Sequence, residues 1–135
     1  MSRKNHKNVG VQNGLLNRCP NLINCVCSQY SHPQKYFQAP WRYKAEQVVV
    51  MDTLINVLSG ESQLCFIESS DNYVHFEATV PFFGFIDDVE FYVPEGQGEI
   101  HFRSASRIGS WDLGLNKLRL KMIKKKLKKS GLELF

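Results

Sequence analysis

Nowhere in the chain do the ~20 consecutive apolar residues of a membrane-spanning helix occur. Residues 1–17 carry charge but never develop the apolar run of a secretory signal, so neither export nor insertion is expected and the location is read as cytoplasmic. The sequence also lacks a Gly-rich phosphate loop, a nucleophile elbow and a paired-histidine metalloprotease motif, which removes the enzyme classes that depend on them. Cysteines are few, at positions 19, 25, 27 and 65, and none form the C-x-x-C pairs of zinc modules. Without an export signal these thiols are expected to be reduced and disulfides are not expected, with Cys65 buried in an apolar strand. Acids are nearly missing from one region. Residues 117–135 hold eight Lys/Arg against Glu133 alone, a net +7, whereas residues 1–116 hold nine against twelve, a net −3.

What is present suits a folded globule: 135 residues, 43% hydrophobic and 12% aromatic, enough for one domain with a real core. Residues 1–17 read as a mobile tail and 18–135 as a single α+β domain whose lead-in is irregular up to Pro40. Over residues 44–58, Val48, Met51, Leu54, Ile55 and Leu58 recur at three- and four-residue intervals and predict an amphipathic helix ended by Gly60. Four strands are predicted at 63–68, 72–80, 86–93 and 99–106. In the second, Val74, Phe76, Ala78 and Val80 alternate against Tyr73, His75, Glu77 and Thr79. Short turns between them imply a half-buried antiparallel meander, with room for a fifth short strand. A second helix is predicted over 113–129, with Leu115, Leu118, Met122, Ile123 and Leu127 inward, Lys117, Lys121, Lys124 and Lys128 outward, and Gly131 as its stop. The expected fold is helix, four strands, helix, with both helices on one face of the sheet.

The densest polar run is 103–119. On a helix, Asp112, Asn116 and Arg119 share one stripe that falls inside the apolar side, so they need partners there. Asp112 as an N-cap, and Arg119 bridging loop carbonyls or one of Asp87, Asp88 and Glu90, would make the run a structural lock. Arg103, Ser104, Ser106, Arg107 and a helix N-terminus converging on one corner would instead make a carboxylate or phosphate site. A second cluster joins Cys19, Cys25 and Cys27 to His32; its five- and one-residue spacings do not match a zinc module, and a Cys25 nucleophile would have only His32 as a local base. A third set, His75 and His101 with Glu77, Glu90 and Arg103, falls on one polar sheet face, where a small acid–base constellation and ordinary solvated cross-strand pairs are equally consistent.

Arg103, Ser104, Ser106, Arg107, Gly109, Asp112, Gly114, Asn116 and Arg119 match the hallmark of an uncharacterised bacterial and plastid family, domain-of-unknown-function family 1499, which the chain resembles over about residues 18–129. Its N-terminal element is matched by Cys19, Pro20, Asn24, Cys25, Val26 and Ser28, with Ile23 and Cys27 where that family has proline and serine. The resemblance implies one compact domain and brings no known activity.

The leading expectation is a non-enzymatic module, without cofactor or metal, holding a small anion or acidic partner through Arg103, Ser104, Ser106, Arg107, Asp112, Asn116 and Arg119. The alternative is a peripheral protein whose basic helix, Lys117 to Lys129, meets an anionic membrane or nucleic acid. A cysteine- or histidine-dependent enzyme comes last.

Overall fold

A computed structural model of the chain describes residues 8–20, 24–80, 84–107 and 114–135. Two short strands come first, β1 (Val11–Gln12) and β2 (Leu15–Leu16), followed by β3 (Cys25–Cys27), a single 3-10 turn at Gln34–Tyr36, and β4 (Trp41–Arg42). Helix α1 (Gln47–Ser59) leads into β5 (Leu64–Ser69), β6 (Tyr73–Thr79), β7 (Ile86–Tyr92) and β8 (Glu99–Ser106), and α2 (Leu115–Lys129) closes the order.

The alternation predicted for 72–106 is present as an antiparallel β5–β6–β7–β8 meander, but the sheet has six strands rather than four. Both β3 and β4 pair with β8, β3 through Cys25↔Ala105 and Cys27↔Arg103, β4 through Trp41↔Ile100. Two- and three-residue strands leave no periodicity to read, so they escaped the sequence analysis. The β1–β2 hairpin falls in the segment expected to be a tail. It turns through Asn13 (φ 54°) and Gly14 (φ +76°), both left-handed, as a two-residue Asn-Gly hairpin requires. Leu16 at its end is buried, held by the Gln29 side chain, which accepts from the Leu16 N–H at 2.7 Å, and by the Tyr30 hydroxyl, which donates to the Leu16 carbonyl at 2.7 Å.

Strand alternation sends two sets of side chains to two faces. On the first, Val74, Phe76, Val89, Phe91, Ile100 and Phe102 meet Val50, Met51, Leu54 and Leu58 of α1 and Leu120, Ile123 and Leu127 of α2 in one continuous core. Trp41 packs against Phe102 with ring centroids 4.9 Å apart. Both helices lie on this face, as expected.

Four expectations are corrected. The second face is buried rather than solvated: His75, Glu90 and Arg103 are almost inaccessible, and the Gly10 N–H donates to Glu90 Oε1 at 3.1 Å. The α2 stripe is rotated. Asn116, Leu120, Ile123 and Leu127 are inward, while Leu118 and Met122 are 53% and 51% exposed. The rotation follows from Asn116, whose inward hydrogen bonds require a polar residue in the apolar arc. Helix α2 also starts at Leu115, two residues later than predicted, with Gly114 at the N-cap; Asp112 lies outside the described residues. Lastly, Cys65 is an exposed thiol outside any disulfide, on the edge strand β5.

Truncating a side chain at the centre of the core measures how much the fold depends on it. Phe102→Ala should cost about 3–5 kcal/mol in chemical denaturation with an unchanged denaturant slope, whereas Phe66→Ala on the exposed edge should cost less than about 1 kcal/mol.

Candidate functional site

The described residues of the run 103–119 do not form one corner. Because β8 alternates, Ser104 and Ser106 point to the helix side while Arg103 and Arg107 point to the other, and the candidate residues divide into two networks separated by the sheet.

Under α2, the Ser104 hydroxyl donates to Asn116 Oδ1 at 2.6 Å, and Asn116 Nδ2 donates to the Asn24 carbonyl at 2.9 Å and to Ser106 Oγ at 3.4 Å. Arg119 Nη1 donates to Asn116 Oδ1 at 2.6 Å and Ser104 Oγ at 3.2 Å, while its Nη2 is 2.9 Å from Asp87 Oδ2. Asn24, from the N-terminal cysteine motif, is thus tied through one buried amide to the C-terminal motif 92 residues away. Every polar group that α2 turns inward has a partner here, which is the condition for burying it.

On the opposite face, rows of paired residues cross the sheet. His75↔Glu90↔Arg103 form one, and Glu77↔Asp88↔Ala105 the next. Arg107 forks onto Asp88, Nε to Oδ2 at 2.9 Å and Nη2 to Oδ1 at 2.7 Å, and reaches Glu77 Oε2 at 2.7 Å. His75 Nε2 lies 2.8 Å from Asp88 Oδ1, and Arg103 Nη1 lies 3.6 Å from Glu90 Oε2. Nearer the β3 edge, Ser28 Oγ accepts from the Phe102 N–H at 2.8 Å and faces His101 Nδ1 at 3.3 Å. Sequence reasoning grouped His75, Glu77, Glu90, Arg103 and His101 correctly on one face. It missed Asp88 as the hub between His75 and Arg107.

The electrostatics follow from burial. Burial alone would raise the Asp88 carboxyl, but the hydrogen bonds and charges of Arg107 and His75 outweigh it and hold the group down to about 2. The Asp88 hydrogen bond first, and then Glu77, raise Arg107 further above its ordinary range against the opposing effect of burial. Glu90 goes the other way. Burial pushes it up to about 7, against the opposing pull of Arg103 and the Gly10 N–H. Burial, reinforced by the charge of Glu90, raises the Tyr73 hydroxyl, and burial lowers His101. Three carboxylates, Glu77, Asp88 and Glu90, thus face two guanidiniums, Arg103 and Arg107.

The cysteine motif differs from expectation. Cys19 and Cys25 are joined by a disulfide, their Cα atoms 5.7 Å apart, where reduced thiols were expected. Pairing of β3 with β8 fixes Cys25, and the chain returns Cys19 to it, a proximity that a six-residue spacing alone does not announce. Cys25 is therefore not a free nucleophile, and Cys27 is a buried free thiol. Among the described residues no three His, Cys, Asp or Glu side chains are gathered as metal ligands. His32 lies in an exposed turn, its carbonyl accepting from Arg18 Nη1 at 3.3 Å.

Glu90 has a folded-state pKa above its unfolded one, so its contribution is fully present below pH ~4.5 and lost as pH rises through about 7. Asp88 is ionised throughout that window, its own contribution being lost only as pH falls toward about 2, while His101, lowered by burial, works in the opposite sense near neutrality. The comparison that isolates Glu90 is wild type against Glu90→Gln. The wild type minus variant difference in unfolding free energy should fall by on the order of 2–3 kcal/mol between pH 4.5 and 8. A flat difference in denaturant titrations would remove this account.

No curated protein and no solved structure matches the chain. The family described as protein of unknown function (DUF1499) matches residues 15–127. That span runs from the Leu15–Leu16 strand, through the Cys19–Cys25 disulfide and both buried networks, almost to the end of α2. The chain belongs to that family of unknown function.

Proposed function

We propose that the protein is a non-enzymatic peripheral module that docks on an anionic lipid surface through the outward face of α2. The observation that carries the reading is the composition of that face: Leu118 and Met122 stand exposed among Lys117, Lys121, Lys125 and Lys129. Among the described residues, the only α2 lysine in an ion pair is Lys126, with Glu61 at 3.2 Å. Unpaired lysines on long stems around apolar side chains fit a lipid interface, where the ammonium groups stay with headgroups and the apolar tips enter the acyl boundary. Nucleic acid would draw on the phosphate contact alone and leave Leu118 and Met122 without a role, and the face offers lysine rather than the forked arginines that read bases.

Beside this face lies a groove of about 570 Å³, with Trp41 and Leu120 among its lining and Lys117, Lys121 and Lys124 along one wall. Its lysine rim over an apolar lining suits a phosphate headgroup with the start of its acyl chains. A disulfide such as Cys19–Cys25 persists where thiols are not actively reduced, which supports placement on the oxidising side of a membrane rather than in a reducing cytosol.

The small-anion reading of Arg103, Arg107 and Arg119 has a weaker basis. Each guanidinium already lies within reach of a carboxylate, so an incoming anion would have to displace Glu90, Asp88 or Asp87. A rise in melting temperature with citrate or phosphate in wild type, absent in Arg107→Gln, would restore it.

Vesicle co-sedimentation tests the lipid reading. The protein should bind vesicles containing phosphatidylglycerol, release at high salt, and ignore pure phosphatidylcholine. At about 1 kcal/mol per lysine, replacing Lys117, Lys121 and Lys125 by glutamine should weaken binding by roughly 100-fold, and Leu118→Ser with Met122→Ser should weaken it without changing the salt slope. Equal binding to neutral vesicles, or binding to an oligonucleotide with none to vesicles, would overturn the proposal.

A further inference from the structure

Three cysteines occupy one small apolar cluster at the β3 edge of the sheet. Cys25 and Cys27 point to the same face of β3, opposite Ala105 and Arg103, and pack with Tyr36 and Ala105; Cys19 and Tyr30 close over them. Cys19 is bonded to Cys25, yet its main chain lies within hydrogen-bonding reach of the Cys27 sulfur, together with the main chain of Gln29 and Tyr30. The free thiol and the disulfide are therefore neighbours, with Cys19 adjacent to both β3 cysteines.

We infer that Cys19, Cys25 and Cys27 form a thiol–disulfide exchange centre in which Cys19 is the shared electrophile, and that small external thiols, released unchanged, mediate its change of partner. Cys25 and Cys27 are two residues apart on an extended strand, about 6.6 Å by strand rise, near the upper limit for a disulfide. Cys19 is the sulfur free of that constraint, so it is the one that changes partner.

In the internal step, Cys27 gives up its proton and the thiolate attacks Cys19 Sγ. The Cys19–Cys27 bond forms as the Cys19–Cys25 bond breaks, and Cys25 leaves as a thiolate that takes up a proton. No electrons enter or leave. Cys19 is only half-buried whereas Cys25 and Cys27 are buried, so an external thiol reaches Cys19 first. Its thiolate attacks Cys19 Sγ, makes a mixed disulfide there and expels Cys25. Cys27 then displaces the external thiol, which leaves as a thiolate, and the product is again the Cys19–Cys27 isomer.

The groups that face Cys27 set its acidity. Burial raises the thiol above its usual range, while the main-chain groups of Tyr30, Cys19 and Gln29 and the Arg103 guanidinium from β8 work against that; Tyr30 and Tyr36 complete its surroundings. Since the thiolate is the attacking species, exchange should quicken as pH rises.

The test uses the full oxidised chain in a Cys65→Ser background, which removes the exposed thiol. After incubation at pH 6, 7.5 and 9, with or without a trace of reduced glutathione, samples are acid-quenched, alkylated with N-ethylmaleimide in denaturant and mapped by peptide mass spectrometry. The expected result is label on both Cys27 and Cys25, with the Cys25 share approaching its limit at least tenfold faster at pH 9 than at pH 6 and faster again with glutathione. Cys25→Ser, with circular dichroism confirming the fold, should form a Cys19–Cys27 disulfide in a glutathione redox buffer. Label confined to Cys27 at every pH overturns the inference. So does a folded Cys25→Ser variant that keeps both thiols reduced, or Cys25 label that persists in Cys27→Ser when no glutathione is added.

Discussion

The alternation of β8 places Phe102 and Ser104 under the helices and Arg103 under the N-terminal lead-in, and most of the structure answers to that division. A central strand with a polar residue on each buried face obliges both layers to supply partners. On one side α2 does so with Asn116 and Arg119, and on the other β6, β7 and Gly10 do so with His75, Asp88, Glu90 and a main-chain N–H. A buried charge left alone costs several kcal/mol, so these contacts decide where the covering layers can sit. The N-terminal hairpin and α2 are positioned by polar contacts as much as by apolar packing.

This also explains why the two halves of the family's signature belong together. The Asn24 carbonyl accepts from the Asn116 side chain, and β3 pairs with β8, so the cysteine element and the 103–119 run are adjacent in space although distant in sequence. The Asn116 contact turns α2 so that a polar side chain takes an inward position. The apolar Leu118 and Met122 are thereby carried to the surface among lysines. One internal hydrogen-bonding requirement thus shapes the exterior on which the proposed lipid contact rests.

The mixed α+β class, α1, the meander β5–β8 and the existence of α2 were legible because each is long enough for its period to repeat. The Asn13–Gly14 pair between Val11–Gln12 and Leu15–Leu16 was also a readable signal, since that dipeptide favours the left-handed turn of a tight hairpin. Strands β3 and β4 were not, because two or three residues contain no period. The inward phase of α2 was read in part: Asn116 and Arg119 were placed inside the apolar side, whereas Leu118 and Met122 were counted inward because hydropathy alone assigns apolar residues to the stripe. In the candidate site, strand alternation already put His75, Glu77, Glu90 and Arg103 together, but Asp88 needed the observed β6–β7 register to appear as the hub.

The sequence by itself determined which segments alternate, which are amphipathic, and that strong positive charge is confined to the last 19 residues, since these properties depend only on local order along the chain. Tertiary structure alone decided that Arg103 and Arg107 face away from Asn116 and Arg119, that both faces of the sheet are covered, and that Cys19 meets Cys25 while Cys27 stays free. Each of those outcomes depends on strand pairing and layer placement, and both are set by contacts between residues far apart in sequence, where local pattern carries no information.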